Sequence, residues 1–325
     1  MIIDSAFKPA WWLANSHAQT LFPTLTRRIQ APVDSNERLE LPDDDFIDLA
    51  WAVNGLPKDA PVVVLLHGLG GSIESTYIAG LMHALNRQGW RAVLMHFRGA
   101  SKEPNRLPRA YHSGDTGDLN FFLQTLTKRE PHTKKAAVGV SLGGNVLLKW
   151  LGENGAQKLL EAAVAVSVPF QLRLVADKIS QGFSRVYQNY LLRRLKAVFT
   201  QKIGALNSNL PDPLKDIERW QCFWTFDEYV TAPLHGFPNV HAYYREASSR
   251  NYLSHITTPT LIIHALDDPF MTPDVVPLEN ELSQDIILEL SDSGGHVGFI
   301  TGNVPGVPIY WLEQRIPDFL KSTLF

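Results

Sequence analysis

The chain predicts an α/β fold: a mostly parallel, eight-stranded sheet with helices on both faces and a helical insertion near the middle. Three observations carry this. Short apolar runs such as Pro61-Val-Val-Val-Leu-Leu66 and Ala162-Ala-Val-Ala-Val-Ser167 suit strands buried on both faces. Segments with helical spacing alternate with those runs. The alternation then stops between about Phe170 and Leu253, where aromatics and helix formers crowd together with no strand pattern.

The elements follow in order. Leu39–Phe46 and Ile47–Trp51 read as two alternating strands around an Asp-rich turn. The run 61–66 is the third strand, and residues 76–88 read as a helix that Gly89 ends. Arg91–Met95 is a strand, and Asp115–Thr127 a helix with an apolar face. The strand Ala136–Val140 leads into a helix after Ser141. Further strands fall at Ala162–Ser167, Pro259–His264 and Ile286–Leu290, and a helix around Tyr310–Leu324 closes the chain. Residues 1–325 are expected to form one domain, with a helical cap inserted at about 170–253. Ligands of such sheets bind beyond the carboxyl ends of the strands.

A chain of 325 residues, 45% hydrophobic, is ample for a large core. Its net charge of −3 gives no sign of a nucleic-acid partner. A single cysteine, Cys222, excludes an internal disulfide framework and suits a reducing compartment. Beside Trp220 and Phe223 it reads as a small buried hydrophobe. The sequence opens without a basic region followed by an apolar run, and no apolar stretch approaches the ~18 residues of a membrane span. The expected location is the cytoplasm. Trp11 and Trp12 are expected to pack on the domain.

The chemistry is concentrated at Gly139-Val-Ser141-Leu-Gly143, a G-x-S-x-G pentapeptide between a strand and a helix. A serine on such a turn is forced outward above the sheet edge, and the glycines allow the tight turn. Serine needs a base, and the base needs an orienting acid. Two later loops supply both on the same edge. Ala265-Leu-Asp267-Asp268-Pro269 offers the acid, with Asp268 favoured and Asp267 competing. Ser291-Asp-Ser-Gly294-Gly295-His296 offers the base, His296. His67 precedes Gly68 in the turn after an early strand, and His96 and His264 read as structural. Oxyanion donors are expected from the backbone N–H of Leu142 and, in His67-Gly68-Leu69-Gly70-Gly71, of Leu69. That glycine-rich loop lacks the G-x-x-x-x-G-K-[ST] pattern of phosphate binding, and no metal-ligand spacing or cofactor motif is present.

With these motifs in this order, the chain resembles the α/β-hydrolase superfamily. Met95-His-Phe-Arg-Gly99, Glu103-Pro-Asn-Arg106, Tyr111-His-Ser-Gly114, Gly182–Tyr187, Asp267–Met271 and Gly294–Phe299 resemble more narrowly its YheT-like branch, bacterial relatives of the mammalian AB-hydrolase-domain phospholipases. The resemblance spans about Phe22 to Leu320. It implies a carboxylic-ester hydrolase with Ser141, Asp268 and His296 as triad, no cofactor, and a small or lipid-like ester as substrate. The mammalian relatives carry an N-terminal membrane anchor, and none is read here. Thioesterase, peptidase and acyltransferase chemistries share the triad. An aspartate nucleophile is disfavoured by the serine, and a non-catalytic binding protein by the full set of three residues.

From Lys178 to Lys202 the cap carries Lys178, Arg185, Arg193, Arg194, Lys196 and Lys202 and no acidic residue. As helix this predicts an apolar face on the sheet domain and a basic face in water. The sharper expectation is transient docking of the cap on anionic lipid.

Overall fold

The computed structural model describes residues 1–205 and 217–324. Its main sheet has nine strands: β1 (Ile2–Asp4), β2 (Ser35–Glu40), β3 (Phe46–Ala52), β4 (Val62–Leu66), β5 (Arg91–Met95), β6 (Lys135–Val140), β7 (Ala162–Val166), β8 (Thr260–Ala265) and β9 (Ile286–Ser291). They lie in the order β1-β9-β8-β7-β6-β4-β5-β3-β2. Pairing is parallel except where β3 meets β2 and β5. The sheet therefore has one strand more than the eight expected. The extra strand is β1, three residues that pair with Leu288–Leu290, too short to show a pattern in sequence.

The hairpin also shifts. The β2–β3 ladder runs back to Ser35 and stops at the pair Glu40–Phe46, so Leu41–Asp45 forms the turn. Ser35–Glu40 is a polar edge strand, which hides it from hydrophobic patterning. The turn is held from inside. Asp45, fully buried, accepts hydrogen bonds from Asn105 and from the Arg98 guanidinium, which also pairs with Asp43 and Asp118.

The helices are α1 (Ser16–Thr26), α2 (Thr76–Arg87), α3 (Gly117–Arg129), α4 (Leu142–Asn154), α5 (Leu172–Ile179), α6 (Ser184–Ala205), α7 (Phe223–Phe226), α8 (Ala232–Leu234), α9 (Val240–Ala247) and α10 (Leu312–Leu324). A π-turn over Asp227–Thr231 joins α7 to α8. The closing helix starts later than expected because Ile309–Tyr310 pairs with Ile300–Thr301.

Strand alternation explains the apolar runs. Val62, Val64 and Leu66 of β4 face a core completed by α3 and α4, through Phe122, Leu123, Val146 and Leu147. Val63 and Leu65 face the opposite core, completed by α2 and α10 through Ile78, Met82, Ile316 and Leu320. A strand covered on both sides must be apolar at every position. Between β7 and β8 the described residues form helices and 3₁₀ turns and no strand; residues 206–216 of this stretch lie outside the described residues.

Candidate active site

Ser141 stands between β6 and α4 with φ 54° and ψ −118°, a backbone conformation that side-chain-bearing residues rarely adopt. Its neighbours enforce the turn. A Cβ on Gly139 would lie 2.4 Å from the Gly143 carbonyl oxygen, and one on Gly143 would lie 2.5 Å from that of Leu66. Both are backbone atoms that cannot swing aside. The Ser141 N–H donates to the Val166 carbonyl at 2.8 Å, which ties the turn to β7.

His296 arrives from the loop after β9. Its Nε2 lies 3.0 Å from Ser141 Oγ, and its Nδ1 lies 2.7 Å from Asp268 Oδ2. A carboxylate opposite Nδ1 assigns the proton to Nδ1 and leaves Nε2 to accept from the serine hydroxyl. The other oxygen of Asp268 accepts from the Phe270 N–H at 2.8 Å. The Phe270 ring lies flat against His296, with centroids 3.9 Å apart and planes within 10°. Rotation of the imidazole is blocked by that stack and by the carboxylate.

The two aspartates diverge. Asp267 Oδ1 accepts from the Gly295 N–H at 2.9 Å, one residue before His296, and burial raises its pKa. Asp268 therefore meets the ring, while Asp267 shapes the loop that carries it. That loop needs glycine: Gly295 has φ +61°, and a Cβ there would meet the Ser16 carbonyl at 2.5 Å. Thr20 of α1 completes the support, its Oγ1 accepting from the His296 N–H at 2.9 Å.

In the loop after β4, the N–H groups are taken one by one. Gly68 donates to the Tyr77 hydroxyl at 2.8 Å, Gly70 to the Tyr111 hydroxyl at 2.9 Å, and Gly71 to the Gly68 carbonyl. The Leu69 N–H, between the two tyrosine-held amides, makes no hydrogen bond among the described residues, and neither does that of Leu142. Burial pushes Tyr111 up to about 12 and raises Tyr77, so both remain neutral hydroxyls. Arg194 of α6 donates to the Gly70 carbonyl at 2.7 Å. The other histidines of the sheet edge are held neutral: burial draws His67 down to about 3 and His264 to about 4.

Leu69 and Leu142 open on a cavity of about 350 Å³. Its far wall includes Leu195, Val198 and Phe199 of α6, with Phe223, Phe226, His112 and His235. His112, His235 and Asp115 bring ligand atoms within 4.8 Å of one another, the spacing of a metal site. The donor set fits a cation poorly. Both Asp115 oxygens accept from Arg109, and His112 Nδ1 accepts from the Gly114 N–H.

Sequence reasoning missed Tyr77, Tyr111, Phe270, Thr20 and Arg194 as site neighbours. Tyr111 opens the Tyr111-His-Ser-Gly114 motif and Phe270 follows Asp-Asp-Pro, so both stood beside signals. Thr20 is 276 positions from its partner and had none.

The fold and this edge define an α/β hydrolase of the esterase and lipase type. The alpha/beta hydrolase fold family matches residues 61–303, and the chain belongs to it. Within that family it is YheT-like. It is 45% identical over 322 residues to the Escherichia coli (strain K12) protein named "Putative esterase YheT", covering 99% of this chain and 94% of that one. It is 34% identical to the Saccharomyces cerevisiae medium-chain fatty acid ethyl ester synthase/esterase 2, over 81% of this chain and 62% of that one. It is 28% identical to the Bos taurus phospholipase ABHD3, over 99% and 80%. In fold it is similar to the Pyrococcus furiosus esterase Pf2001, with a TM-score of 0.58 at 19% identity, over 90% of this chain and 94% of that one. No helix among the described residues is long and apolar enough to cross a membrane.

Proposed function

We propose that the protein is a serine esterase that cleaves short- to medium-chain carboxylic esters through an acyl-enzyme. The observation that carries the reading is the hydrogen-bonded chain Ser141–His296–Asp268 beside two uncommitted amides. Ser141 Oγ attacks the ester carbonyl carbon as its proton passes to His296 Nε2. Asp268 steadies the imidazolium. The oxyanion is held by the Leu69 and Leu142 N–H groups. Collapse releases the alcohol, which takes the proton from His296. A water then attacks the acyl-enzyme with His296 as base, the acid leaves, and Ser141 is restored.

Residues 170–253 act as a cap in this reading, supplying the Leu195, Val198 and Phe199 wall against which an acyl chain lies. The name of one yeast relative, a medium-chain fatty acid ethyl ester synthase/esterase, supports an acyl substrate of this size. Thioesters and acyl transfer to an alcohol would use the same groups. A reducing cytoplasm suits the single, unpaired Cys222. The test is a fluorophosphonate probe followed by intact mass and peptide mapping, beside hydrolysis of p-nitrophenyl esters of graded length. One adduct on Ser141 and turnover that peaks at short to medium chains are expected. No adduct and no turnover would end the esterase reading.

A second reading, contact with an anionic lipid surface through the cap, is favoured by α6. Phe183, Val186 and Tyr190 are 53%, 53% and 46% exposed, with Arg185 and Arg193 exposed among them. Apolar side chains set among cations suit the boundary of an anionic bilayer. Sedimentation with phosphatidylcholine vesicles of rising phosphatidylglycerol content, at low and moderate salt, tests it. Failure to sediment under every condition would remove it.

A further inference from the structure

The cavity beside Ser141 carries a feature that ester cleavage itself does not use. His112 and His235 stand together in its wall, with ring centroids 4.3 Å apart and planes tilted by 58°. Other polar side chains of the wall are already committed. Asp227 accepts from Thr231 and Tyr244, the Tyr111 hydroxyl accepts from the Gly70 N–H, and that of Tyr243 accepts from the Ser113 N–H.

The two imidazoles are not. His112 spends Nδ1 on the Gly114 N–H, so its proton sits on Nε2, which has no partner among the described residues. His235 makes no hydrogen bond from either ring nitrogen among them. Burial holds both rings down to about 3, helped in each case by the Arg109 charge, so both are neutral at physiological pH. The pair thus offers one fixed N–H donor and one ring able to donate and accept. Both rings line the cavity, so a substrate that displaces water from them must replace its hydrogen bonds or leave the ring nitrogens unpaired at a cost. A cation would find Asp115 already paired with Arg109, and a carboxylate would meet no charged partner on either ring.

We propose that His112 and His235 form a subsite for an uncharged oxygen, a ketone or hydroxyl, carried by the ester away from the scissile carbonyl. This rests on the serine-esterase reading and names a feature of its substrate. A ketone oxygen accepts from His112 Nε2–H; a hydroxyl can also donate to His235. The oxygen could sit on the acyl or the alcohol side, and the test separates them.

Two matched ester pairs are compared by kcat/KM: p-nitrophenyl levulinate against valerate for the acyl side, and glycerol monobutyrate against propyl butyrate for the alcohol side. On one side the wild type should favour the oxygenated member by about tenfold, the effect of a single buried hydrogen bond. In the His112→Phe/His235→Phe double variant that preference should fall to about one. The ratio is taken within each protein, so a loss of folded enzyme cancels. An unchanged ratio in the variant, or no preference on either side in the wild type, overturns the proposal. Binding is read independently by titrating cyclohexanol into histidine-labelled wild type. The His112 and His235 ¹⁵N resonances should shift, while that of exposed His132 stays fixed. Shifts without turnover of any ester would retire the esterase reading and keep the subsite. Turnover with unmoved resonances and a ratio of one would do the reverse.

Discussion

The carboxyl edge of the sheet and the helical stretch between β7 and β8 line one cavity, yet they are built on opposite terms. At the sheet edge the geometry is fixed by backbone atoms. Gly139, Gly143 and Gly295 each leave less than 2.6 Å for a Cβ, and Asp267, Thr20 and Phe270 close the remaining freedom of His296. In the helical stretch, α6 is held by pins near its start, middle and end. Ser184 donates to the Pro269 carbonyl at 2.5 Å, Arg194 to that of Gly70, and Lys202 to those of Leu107, Pro108 and Arg109. The edge is over-determined and suits chemistry, which tolerates little displacement. The pinned helix lines the cavity with Leu195, Val198 and Phe199, apolar side chains outside those pins, and on the proposed reading these suit the choice of substrate.

The largest effect that could break this contrast is at the elbow. Ser141→Ala should lower kcat on p-nitrophenyl butyrate by about 10⁶-fold, the scale of losing a triad nucleophile. The melting temperature should stay near wild type, because alanine occupies the same strained backbone. Residual turnover within tenfold of wild type would place the chemistry elsewhere.

Next comes the aspartate pair. Asp268→Asn removes the charge that faces the imidazolium and presents the wrong tautomer partner, at a cost of about 10⁴-fold in kcat. Asp267→Asn keeps an oxygen for the Gly295 N–H and should cost about tenfold. Steady-state kinetics on both variants checks the order. A reversed order would mean that the carboxylate shaping the loop outweighs the one touching the ring.

These contrasts also explain what the sequence made legible. The meeting of Ser141 and His296 was readable because sterics demand glycine beside them, and glycine is visible in a sequence. Asp268 was readable in outline, but only the fold shows its neighbour Asp267 turning to the Gly295 amide. The strands buried on both faces announced themselves as apolar runs. The edge strands did not, since Ser35–Glu40 is polar and Ile2–Asp4 is short. Least legible was α6. Residues 178–202 predict an apolar face inward and a basic face outward, and the structure keeps this in part, with Tyr187, Leu192 and Phe199 buried and Arg185, Arg193 and Arg194 exposed, but departs from it on each face. Lys202 is 1% exposed, while Phe183 and Val186 stand in solvent. The Lys202 ammonium is drawn inside by three backbone carbonyls of a loop that lies far off in sequence, so helical periodicity carries no trace of it.

A smaller effect separates the clamp on the Gly68–Gly71 loop from the wall of the cavity. Tyr111→Phe removes the acceptor for the Gly70 N–H and loosens the peptide that presents Leu69. It should lower kcat about tenfold with KM little changed if, as proposed, the Leu69 N–H holds the oxyanion, since such a donor acts in the transition state. Arg194→Met touches the same glycine from α6 but also lines the cavity, and should act mainly on KM. Equal loss of kcat in both variants would show that the helix participates in the chemistry.

The smallest effect concerns Lys202 and appears only as a function of pH. Burial draws its pKa from an ordinary 10.5 down to about 7, with Arg98 and Arg109 adding to the fall and Asp45 opposing it. Between those two values the folded chain binds fewer protons at this site than the unfolded chain. Stability therefore rises with pH across the window, and the burial penalty is at its full size below about pH 7. Lys202→Met removes this dependence, along with three donors to carbonyls. The melting temperature of wild type minus that of the variant should climb by a few degrees between pH 6 and pH 9, on the order of 1 kcal/mol or more. A difference that stays flat across this range would show that the Lys202 ammonium holds its proton inside the fold. The three carbonyls would then stabilise the charge fully, and the end of α6 would be pinned as firmly as the elbow itself.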